Sequence, residues 1–499
     1  MTRTNTWRSS SNERTVLLII ALTGLLHLAL AGVLGLSVDE SYSVAISRQI
    51  ALSYFDHPPL HLWLVRAWAR VVCSERPLLL RLPDVILFAA SSWLMFRITA
   101  SVYGQRAGMW ATLALNLAPV FTLNTAIGIL PDGPLVLFSL LTVSAFRRAE
   151  LSESRPHELR WMAGAGCAAG LALLSKYTAI FTILSLSIYM LTARRCLLAR
   201  PPIALAALVV CILFTPVLIW NYRHDWVSFA FQGGRAWPVG LSVERALLGL
   251  LGQWLYVLPW IALPMLYAIA RALRHGASDH AAWLFAWMAV VPIAAFSIAG
   301  LWTNVLPHWP VIGWLLAFPL LGYLIAGIEQ RRPSWTHAAA AATAGFVLFV
   351  VTLTATQAVT GWIDRVIPAI AASDPTLDLL DWRDLRSPVS KLNLRGRGMV
   401  LATVSWIDAG KADYALGGHV PVICVSSDPR HFAFMHDRDS LVGRDALIIA
   451  ADGRPDWLRI AGPHFRRIDR SEDITLSRAG RPALLLHTAY GHELKAAGE

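Results

Sequence analysis

Charged residues are scarce in this chain of 499 residues: only 15% are Asp, Glu, Lys or Arg, whereas 56% are hydrophobic. A soluble globular protein of this length is more strongly charged, so the composition is typical of a polytopic membrane protein. The net charge of +11 does not indicate nucleic-acid binding. Many of the arginines stand in short loops between apolar runs, where they orient a membrane chain.

Cysteine is also scarce, and the five cysteines form no C-x-x-C pair and no spacing typical of a metal site. The chain also lacks internal repeats and low-complexity segments. Cys73 and Cys424 fall on the same predicted side of the membrane, which leaves a disulfide between them open. What the sequence says about chemistry therefore rests on ordered acid and histidine motifs.

Long apolar runs are abundant and predict about eleven transmembrane helices, since roughly 20 apolar residues cross a bilayer. Their approximate positions are 15–36, 80–100, 107–124, 133–147, 160–175, 177–193, 202–221, 246–270, 281–300, 309–328 and 337–358. Arginines concentrate in alternate loops, which the positive-inside rule assigns to the cytoplasm together with Arg3, Arg8 and Arg14. An odd number of spans then places the C-terminal tail outside. The first run is long and lacks a clear cleavage site, so a cleaved signal peptide is not expected.

The first predicted outer loop, 37–79, holds two motifs. Asp39 and Glu40 directly follow the first span, where carboxylates are costly unless they are solvated, paired or functional. A solvated helix end, or an Asp that caps the next helix, is the plain alternative. Asp56 and His57 follow in the motif FDHPPL, which brings an acid and an imidazole to the same predicted side of the membrane. Apolar and basic residues around the Pro-Pro pair predict two short amphipathic helices along the interface.

Later outer loops offer further polar candidates. Asp132 lies in a Pro-Asp-Gly-Pro turn, where an Asp either stabilises the turn or belongs to a catalytic site. Lys176 occupies a short turn, where it snorkels to the interface or meets a phosphate. His224 and Arg235 belong to an aromatic loop that suits a sugar or phosphate head group, or else an interfacial aromatic belt. His308 is a lone histidine in another aromatic loop.

The character of the chain changes at about residue 359, where charge rises and the spans stop. A helix is predicted at 408–416, ending at a Gly-Gly pair. Strands are predicted at 399–406, 420–426, 446–451 and 483–488. We therefore expect an all-α polytopic membrane domain over 1–358. A small extracytoplasmic α/β domain over 359–499 follows it and contains no G-x-G-x-x-G and no P-loop.

With these motifs in place, the chain resembles the integral-membrane glycosyltransferases of the GT-C fold. The resemblance is to the bacterial branch related to protein mannosyltransferases and to the aminoarabinose transferases that modify lipid A, and it covers about 15–360. It rests on motifs in this order: Asp39-Glu40, Phe55-Asp56-His57-Pro58-Pro59-Leu60, Arg81-Leu82-Pro83, Pro131-Asp132-Gly133-Pro134-Leu135, Leu174-Ser175-Lys176-Tyr177 and His308-Trp309-Pro310.

The resemblance implies a polyprenyl-phosphate-linked sugar as the donor and the lipid phosphate as the leaving group. It implies Asp39 as the general base that activates the acceptor, with Glu40 as a neighbouring acid of less defined role. The family's acid-Lys-Pro motif is Asp-His-Pro here, so other basic groups are expected to share the phosphate. The candidates for binding the donor phosphate or sugar are Asp56, His57, Arg81, Asp132, Lys176 and Arg235. Some family members hold a metal with an acid and a His, and the candidates for a divalent cation are Asp56, His57, His224 and His308.

The residues also suit this chemistry on their own terms. A sugar phosphate already has a good leaving group, so catalysis needs a base for the acceptor and positive charge for the departing phosphate. With one well-placed base and no evident nucleophile, we expect direct displacement with inversion at the anomeric carbon. The acceptor is left open among lipid A, another lipid, a surface glycan and a protein Ser or Thr.

Two other classes of function stay open. A transporter or flippase of a lipid-linked sugar accounts for the spans and aromatics, but not for the ordered acids or the appended outer domain. Its paired half-repeats with broken helices are not visible in the sequence. A structural protein whose outer domain binds a partner is the second alternative. Over both alternatives we favour a bacterial inner-membrane glycosyltransferase, and turnover of a polyprenyl-phosphate sugar separates them, since only the enzyme releases free lipid phosphate.

Overall fold

The computed structural model describes residues 11–235 and 240–496, and Arg3 and Arg8 lie outside this part. The described chain forms two compact units. A helical unit contains the described residues up to Ala29, His57–His61 and those of Arg81–Leu348. A mixed unit contains Leu30–Asp56, Leu62–Leu80 and the described residues from Phe349 on.

A helix lies at the position of every predicted span. These helices are Ser11–Val33, Pro77–Tyr103, Gln105–Leu117, Asp132–Glu150, Arg155–Ser175, Ile180–Ala193, Pro201–Arg223, Val243–Val257, Pro259–His275, His280–Ala299, Val311–Arg331 and Pro333–Thr360. Within the described part of the chain, six helices are long and apolar enough to cross a membrane, or up to seven if one bent pair of helices counts as a single span. The first outer loop forms the two predicted short helices, Val38–Ser47 and Leu60–Val72.

The span predicted at 246–270 differs from the structure, which has two helices bent by 104° at this place. Leu258 separates them with a φ of +78°. Pro259 directly follows and disfavours the helical conformation in the residue before it. It also lacks the backbone N–H that a continuous helix would need. Hydropathy measures only apolar length, so it cannot detect such a break.

Small residues bring the helices of the helical unit close together. A side chain at Gly322 would stand 2.3 Å from the carbonyl oxygen of Ala107, and one at Gly313 would stand 2.7 Å from that of Ala289. A side chain at Gly166 would likewise stand 2.6 Å from the carbonyl oxygen of Ala206. Such contacts are typical of membrane helices, where close backbone packing stabilises association.

Several arginines that the sequence assigns to cytoplasmic loops are paired with buried acids. Arg106 Nη2 lies 2.7 Å from Glu329 Oε1, and Arg194 Nε lies 3.0 Å from Glu150 Oε1. Arg200 Nη1 lies 3.0 Å from Glu158. These arginines therefore compensate the charge of buried acids, as well as carrying the charge pattern from which the orientation is predicted.

The mixed unit contains a six-stranded sheet. The strands are β1 Val400–Thr403, β2 Val422–Cys424, β3 Ala446–Ala451, β4 Phe465–Arg470, β5 Ile474–Arg478 and β6 Arg481–Leu494. Their order is β2-β1-β3-β6-β4, and β5 pairs with β6. β1 runs parallel to β2 and β3, whereas β6 runs antiparallel to its neighbours. The predicted helix is present as Trp406–Leu416 and ends at Gly417, whose φ is +67°.

The sequence prediction missed β4 and β5, although it located the other four strands. β4 carries three arginines and an aspartate, and most of its side chains are exposed. Both strands pair with the long β6, which extends beyond the predicted segment 483–488. A strand with a solvated face gives little apolar signal.

The first outer loop and the C-terminal sheet share one hydrophobic core. Tyr42, Ala45 and Ile46 from helix Val38–Ser47 pack in a cluster with Leu401 of β1 and Leu447 of β3. All five side chains are at most 3% exposed. The predicted all-α polytopic part followed by a small α/β part is confirmed, while a domain boundary near residue 358 stays a prediction. All five cysteines are described and free, so Cys73 and Cys424 form no disulfide.

Candidate active site

Asp39 and Glu40 lie in the first turn of helix Val38–Ser47, but their environments differ. Ser37 caps this helix: its side chain accepts a hydrogen bond from Glu40 N, and Glu40 Oε2 accepts one from Ser37 N at 2.8 Å. This reciprocal arrangement is a capping box. Glu40 is only 3% exposed, whereas Asp39 is exposed. The residue that closes the cap is thus Glu40, whereas Asp39, for which capping was the plain alternative, is exposed.

The C-terminal part of the chain holds this helix in place. A side chain at Gly410 would stand 2.9 Å from Tyr42 Cα, so helix Trp406–Leu416 packs directly on helix Val38–Ser47. Lys411 is 3% exposed and donates hydrogen bonds to the carbonyl oxygens of Leu36, Asp378 and Leu380 at 2.6–2.9 Å. The turn that carries Asp39 is therefore supported by residues more than 350 positions away in the sequence.

Asp56 belongs to the same unit and is 1% exposed. Its Oδ1 accepts a hydrogen bond from the Tyr42 hydroxyl at 3.1 Å, and its Oδ2 lies 3.1 Å from Arg430 Nη1. Burial and the charge of Asp56 raise the pKa of Tyr42 well above its usual value, so the phenol keeps its proton and donates it. Asp56 is thus a buried carboxylate with two donors, which compensate the loss of hydration.

Arg430 reaches Asp56 from the C-terminal part of the mixed unit. Its guanidinium lies 4.2 Å from the ring centroid of Trp406, a favourable distance for a cation–π contact. Arg430 has a φ of +50°, which is uncommon outside glycine. The next residue fixes the same place, because His431 N donates to the Tyr42 hydroxyl at 3.1 Å and His431 Nδ1 accepts from Phe55 N at 3.2 Å.

The helical unit contains a second polar centre around Asp132. Asp132 begins helix Asp132–Glu150, and its two carboxylate oxygens lie 2.9 and 3.0 Å from Lys176 Nζ. The side chain of Asp132 is 9% exposed, and that of Lys176 is 12% exposed. His57 and His308 lie close enough to act on the charge of Asp132. The structure therefore brings together four of the predicted residues, from four separate stretches of sequence.

His308 is neutral in this environment. Burial, together with the charge of Lys176, lowers its pKa to about 4 against the opposite effect of Asp132. Arg235 also acts on His308 and lies 5.1 and 5.3 Å from the ring centroids of Phe231 and Trp309. The cations Lys176 and Arg235, rather than His308, thus supply positive charge to this centre at neutral pH.

The remaining candidates are Arg81 and His224. Arg81 is 1% exposed in the first turns of helix Pro77–Tyr103. His224 stacks on Trp220 with ring centroids 4.2 Å apart, and its Nδ1 lies 2.7 Å from the Trp220 carbonyl oxygen. These contacts give His224 a local structural role at the end of helix Pro201–Arg223.

The described residues do not offer a typical metal site, because no three His, Cys, Asp or Glu side chains converge on one point within 11–235 and 240–496. Catalytic and structural zinc sites use three or four such ligands. The described structure therefore gives no support for a zinc site at the candidates Asp56, His57, His224 and His308.

Sequence reasoning missed Arg430 and Tyr42 as partners of Asp56, and Trp406 as the ring that Arg430 contacts. Tyr42 and Asp56 are 14 positions apart, so no helical spacing indicates their contact. Arg430 lies in an irregular segment of the predicted outer domain with no motif around it. Its contact with Asp56 depends on how the chain folds back, which composition and periodicity do not encode.

Comparisons with known proteins agree with this architecture. A family model described as dolichyl-phosphate-mannose-protein mannosyltransferase matches residues 56–220. A curated relative, the lipid A galacturonosyltransferase RgtD of Rhizobium johnstonii, is 22% identical over 290 residues. This match covers 58% of the chain and spans 60% of the length of the relative.

Solved structures extend the likeness to nearly the whole chain. ArnT from Cupriavidus metallidurans in the apo state gives a TM-score of 0.65 at 16% identity, over 96% of this chain and 98% of that one. Its structure bound to undecaprenyl phosphate gives 0.64 at the same identity and coverage. The archaeal oligosaccharyltransferase AglB from Archaeoglobus fulgidus gives 0.52 at 12% identity, over 88% of this chain and 70% of that one. At such identities the likeness is one of fold.

Proposed function

Because the chain has the GT-C fold of the ArnT-like glycosyltransferases, we propose that it transfers a sugar from a polyprenyl-phosphate donor to an acceptor of the cell envelope. The acceptor belongs to the lipids, glycans or proteins on the outer face of the membrane. Two relatives support this chemistry: one is named for transfer to lipid A, and one is solved with undecaprenyl phosphate.

Asp39 is the general base of the proposed reaction. The observation that carries this role is the difference between the two neighbouring carboxylates: Glu40 closes the capping box, and Asp39 is exposed in a turn held by that cap. A general base must be reachable by the acceptor and fixed in place. Asp39 takes the proton of the acceptor hydroxyl as its oxygen attacks the anomeric carbon, and the polyprenyl phosphate leaves with the electron pair.

Positive charge for the departing phosphate comes from the centre around Asp132. Lys176 is paired with Asp132, and Arg235 is held over two aromatic rings. Preorganised cations stabilise charge that develops on a leaving group without reorganisation at the moment of reaction. We assign Lys176, Arg235, Arg81 and His57 to the lipid phosphate and Asp132 to the orientation of Lys176. Asp56 is assigned to the sugar side, held by Tyr42 and Arg430.

The mechanism is a single displacement with inversion. Asp56 and Glu40 are both buried and already engaged in hydrogen bonds, so neither is presented as a nucleophile. A trapped glycosyl–protein adduct would contradict this part of the proposal. An anomeric product of the same configuration as the donor would contradict it as well.

The test measures polyprenyl phosphate released from a panel of polyprenyl-phosphate sugars by the purified protein, with an envelope extract as acceptor. We expect turnover by the parent and a loss of about 10²–10⁴-fold in Asp39→Asn, the usual range for a general base. Asp439→Asn, an exposed acid in another part of the chain, is the matched control. Equal turnover by Asp39→Asn and the control would remove Asp39 as the base.

A protein that binds a donor but releases no lipid phosphate would favour the transporter alternative. The bend at Leu258 is the one broken helix pair among the described residues, and no corresponding second pair occurs there. Transporters built from repeats carry such breaks in corresponding positions of both halves. This arrangement gives the transporter no specific support.

A further inference from the structure

A polar cavity of about 410 Å³ lies in the mixed unit, away from Asp39. Its volume falls within the range of small-ligand sites. Four separate segments and the end of helix Val38–Ser47 contribute to it. Its charged or titratable lining residues are Arg48, Arg395, Asp413, His419, His436 and Arg444.

The charges of this lining do not cancel. Arg48 is neutralised by Asp413 and by Glu75, and its Nη2 lies 2.5 Å from Glu75 Oε2. In the part of the chain that the structure describes, the guanidinium groups of Arg395 and Arg444 are exposed and have no hydrogen-bond or ion-pair partner in the protein. These two arginines therefore give the cavity a net positive charge, and their donors are open to a ligand.

Two of the lining residues are glycines in the left-handed backbone region, which side chains disfavour. Gly398 has a φ of +67° and nothing within 4 Å of the place where a side chain would begin. Gly418 has a φ of +69°, and a side chain there would stand 3.0 Å from Arg48 Cδ. Burial lowers the pKa of His436, so that imidazole is neutral at pH 7 and adds hydrogen-bonding capacity without charge.

We propose that this cavity, lined by Arg395 and Arg444, binds a phosphate or carboxylate group of the acceptor molecule. Arginine presents a planar fork of donors that matches the oxygens of either anion. The link to transfer rests on the proposed function, because the ligand is taken to be the acceptor of that reaction.

The helix that carries Asp39 sets the distance between the two sites. Asp39 lies at its N-terminal end, and Arg48 follows its last residue. A helix of this length spans about 15 Å. The acceptor would thus carry an anionic group roughly that far from the hydroxyl that is glycosylated, as an extended anionic glycolipid can. Both sites belong to one compact unit, so the spacing is built into the fold.

The experiment measures binding to the full-length protein in detergent, using a synthetic glucosamine lipid with a phosphate group and the same lipid without it. The variant is Arg395→Gln/Arg444→Gln. Its matched control is Lys391→Gln/Arg397→Gln, which removes the same two charges from exposed positions outside the cavity lining. We expect the parent and the control to bind the phosphorylated lipid at least tenfold more tightly than the other lipid. The cavity variant should lose this preference.

Two outcomes would overturn the inference: equal binding of the phosphorylated lipid by the cavity variant and the control, or no preference for that lipid in the parent. Inorganic phosphate serves as a competitor that shows whether the cavity recognises a free anion or an anion attached to the lipid. Displacement of the lipid by millimolar phosphate supports recognition of the anion alone. Binding that depends on both arginines but resists this competitor supports recognition of the lipid-attached group.

Turnover separates this inference from the proposed function. Release of polyprenyl phosphate from the donor with water as acceptor should be the same in the cavity variant and the control, whereas the KM for an anionic acceptor should rise at least tenfold only in the cavity variant. If no variant and no parent releases lipid phosphate, the proposed function fails. The binding result then still decides whether the cavity takes an anion.

Discussion

Arg430 and Asp56 form a buried ion pair, with Arg430 Nη1 3.1 Å from Asp56 Oδ2, although 374 positions separate them in the sequence. The Arg430 side chain is 14% exposed and that of Asp56 1%. The pair joins the first outer loop to the C-terminal part of the mixed unit. The C-terminal part is therefore a structural component of the candidate site.

Arg430→Gln should destabilise the protein, because it breaks the ion pair of the buried Asp56 carboxylate with Arg430. Breaking one side of a buried pair costs about 3–5 kcal/mol. Thermal unfolding of the purified protein measures the effect, with Arg459→Gln at an exposed position as control. The double variant Arg430→Gln/Asp56→Asn should recover most of the loss. Additive effects of the two substitutions would show that the pair is not coupled.

Glu40→Gln and Glu40→Ala should behave differently from each other. Glutamine can close a capping box as glutamate does, so the cap on helix Val38–Ser47 persists. Alanine removes the hydrogen bond to Ser37 N and loosens the turn that holds Asp39. We expect turnover to fall less in Glu40→Gln than in Glu40→Ala, and far less than in Asp39→Asn. A loss in Glu40→Gln as large as that in Asp39→Asn would make Glu40 a reacting group.

Lys176→Met should leave the buried Asp132 carboxylate without its ion-pair partner. Both Asp132 oxygens lie within 3.0 Å of Lys176 Nζ, so the carboxylate loses its main partner. We expect a loss of about 3–5 kcal/mol in the free energy of unfolding. Lys176→Met/Asp132→Asn should be markedly more stable than Lys176→Met alone. Denaturant unfolding of the two single variants and the double variant measures this coupling, and a coupling energy near zero would contradict it.

His308 should make the protein sensitive to acid. Its folded-state pKa of about 4 lies below the ordinary value of 6.5, so the unfolded chain binds the proton first. The contribution of neutral His308 to stability is complete above pH 6.5 and is lost as the pH falls toward 4. At pH 4.5 this residue should account for a loss of about 2–3 kcal/mol.

The measurement compares melting temperatures at pH 7.0 and pH 4.5 in the parent and in His308→Gln. Glutamine is neutral at both values, so the variant should lose less stability on acidification than the parent does. The turnover of this variant does not test the prediction on stability, because His308 lies beside Asp132 and Lys176 of the candidate site. An identical fall in melting temperature would show that His308 is accessible to protons in the folded protein.

The helical architecture could be predicted from the sequence because each span carries its own signal. A run of apolar residues is a local property, and the bilayer fixes the length that it needs. The bend at Leu258 escaped this reasoning because two short apolar helices have the same composition as one long helix. β4 escaped it because its arginines and aspartate hide a strand with a solvated face.

The candidate site could be predicted only in part. Asp39, Asp56 and Asp132 stand in local motifs beside predicted spans, so the sequence located them without any structure. Their partners could not be found in this way. Arg430 reaches Asp56 through the fold of the C-terminal part, and Lys176 meets Asp132 through the packing of separate helices.

The sequence by itself determined which segments are apolar enough for a membrane and which acids stand at their ends. The tertiary structure decided which of those acids are buried and which distant cations the Asp56 and Asp132 carboxylates contact. The physical reason is the sequence distance over which each interaction acts. An apolar run and a helix cap are formed by neighbouring residues, whereas the partner of a buried charge is chosen by the whole folded chain.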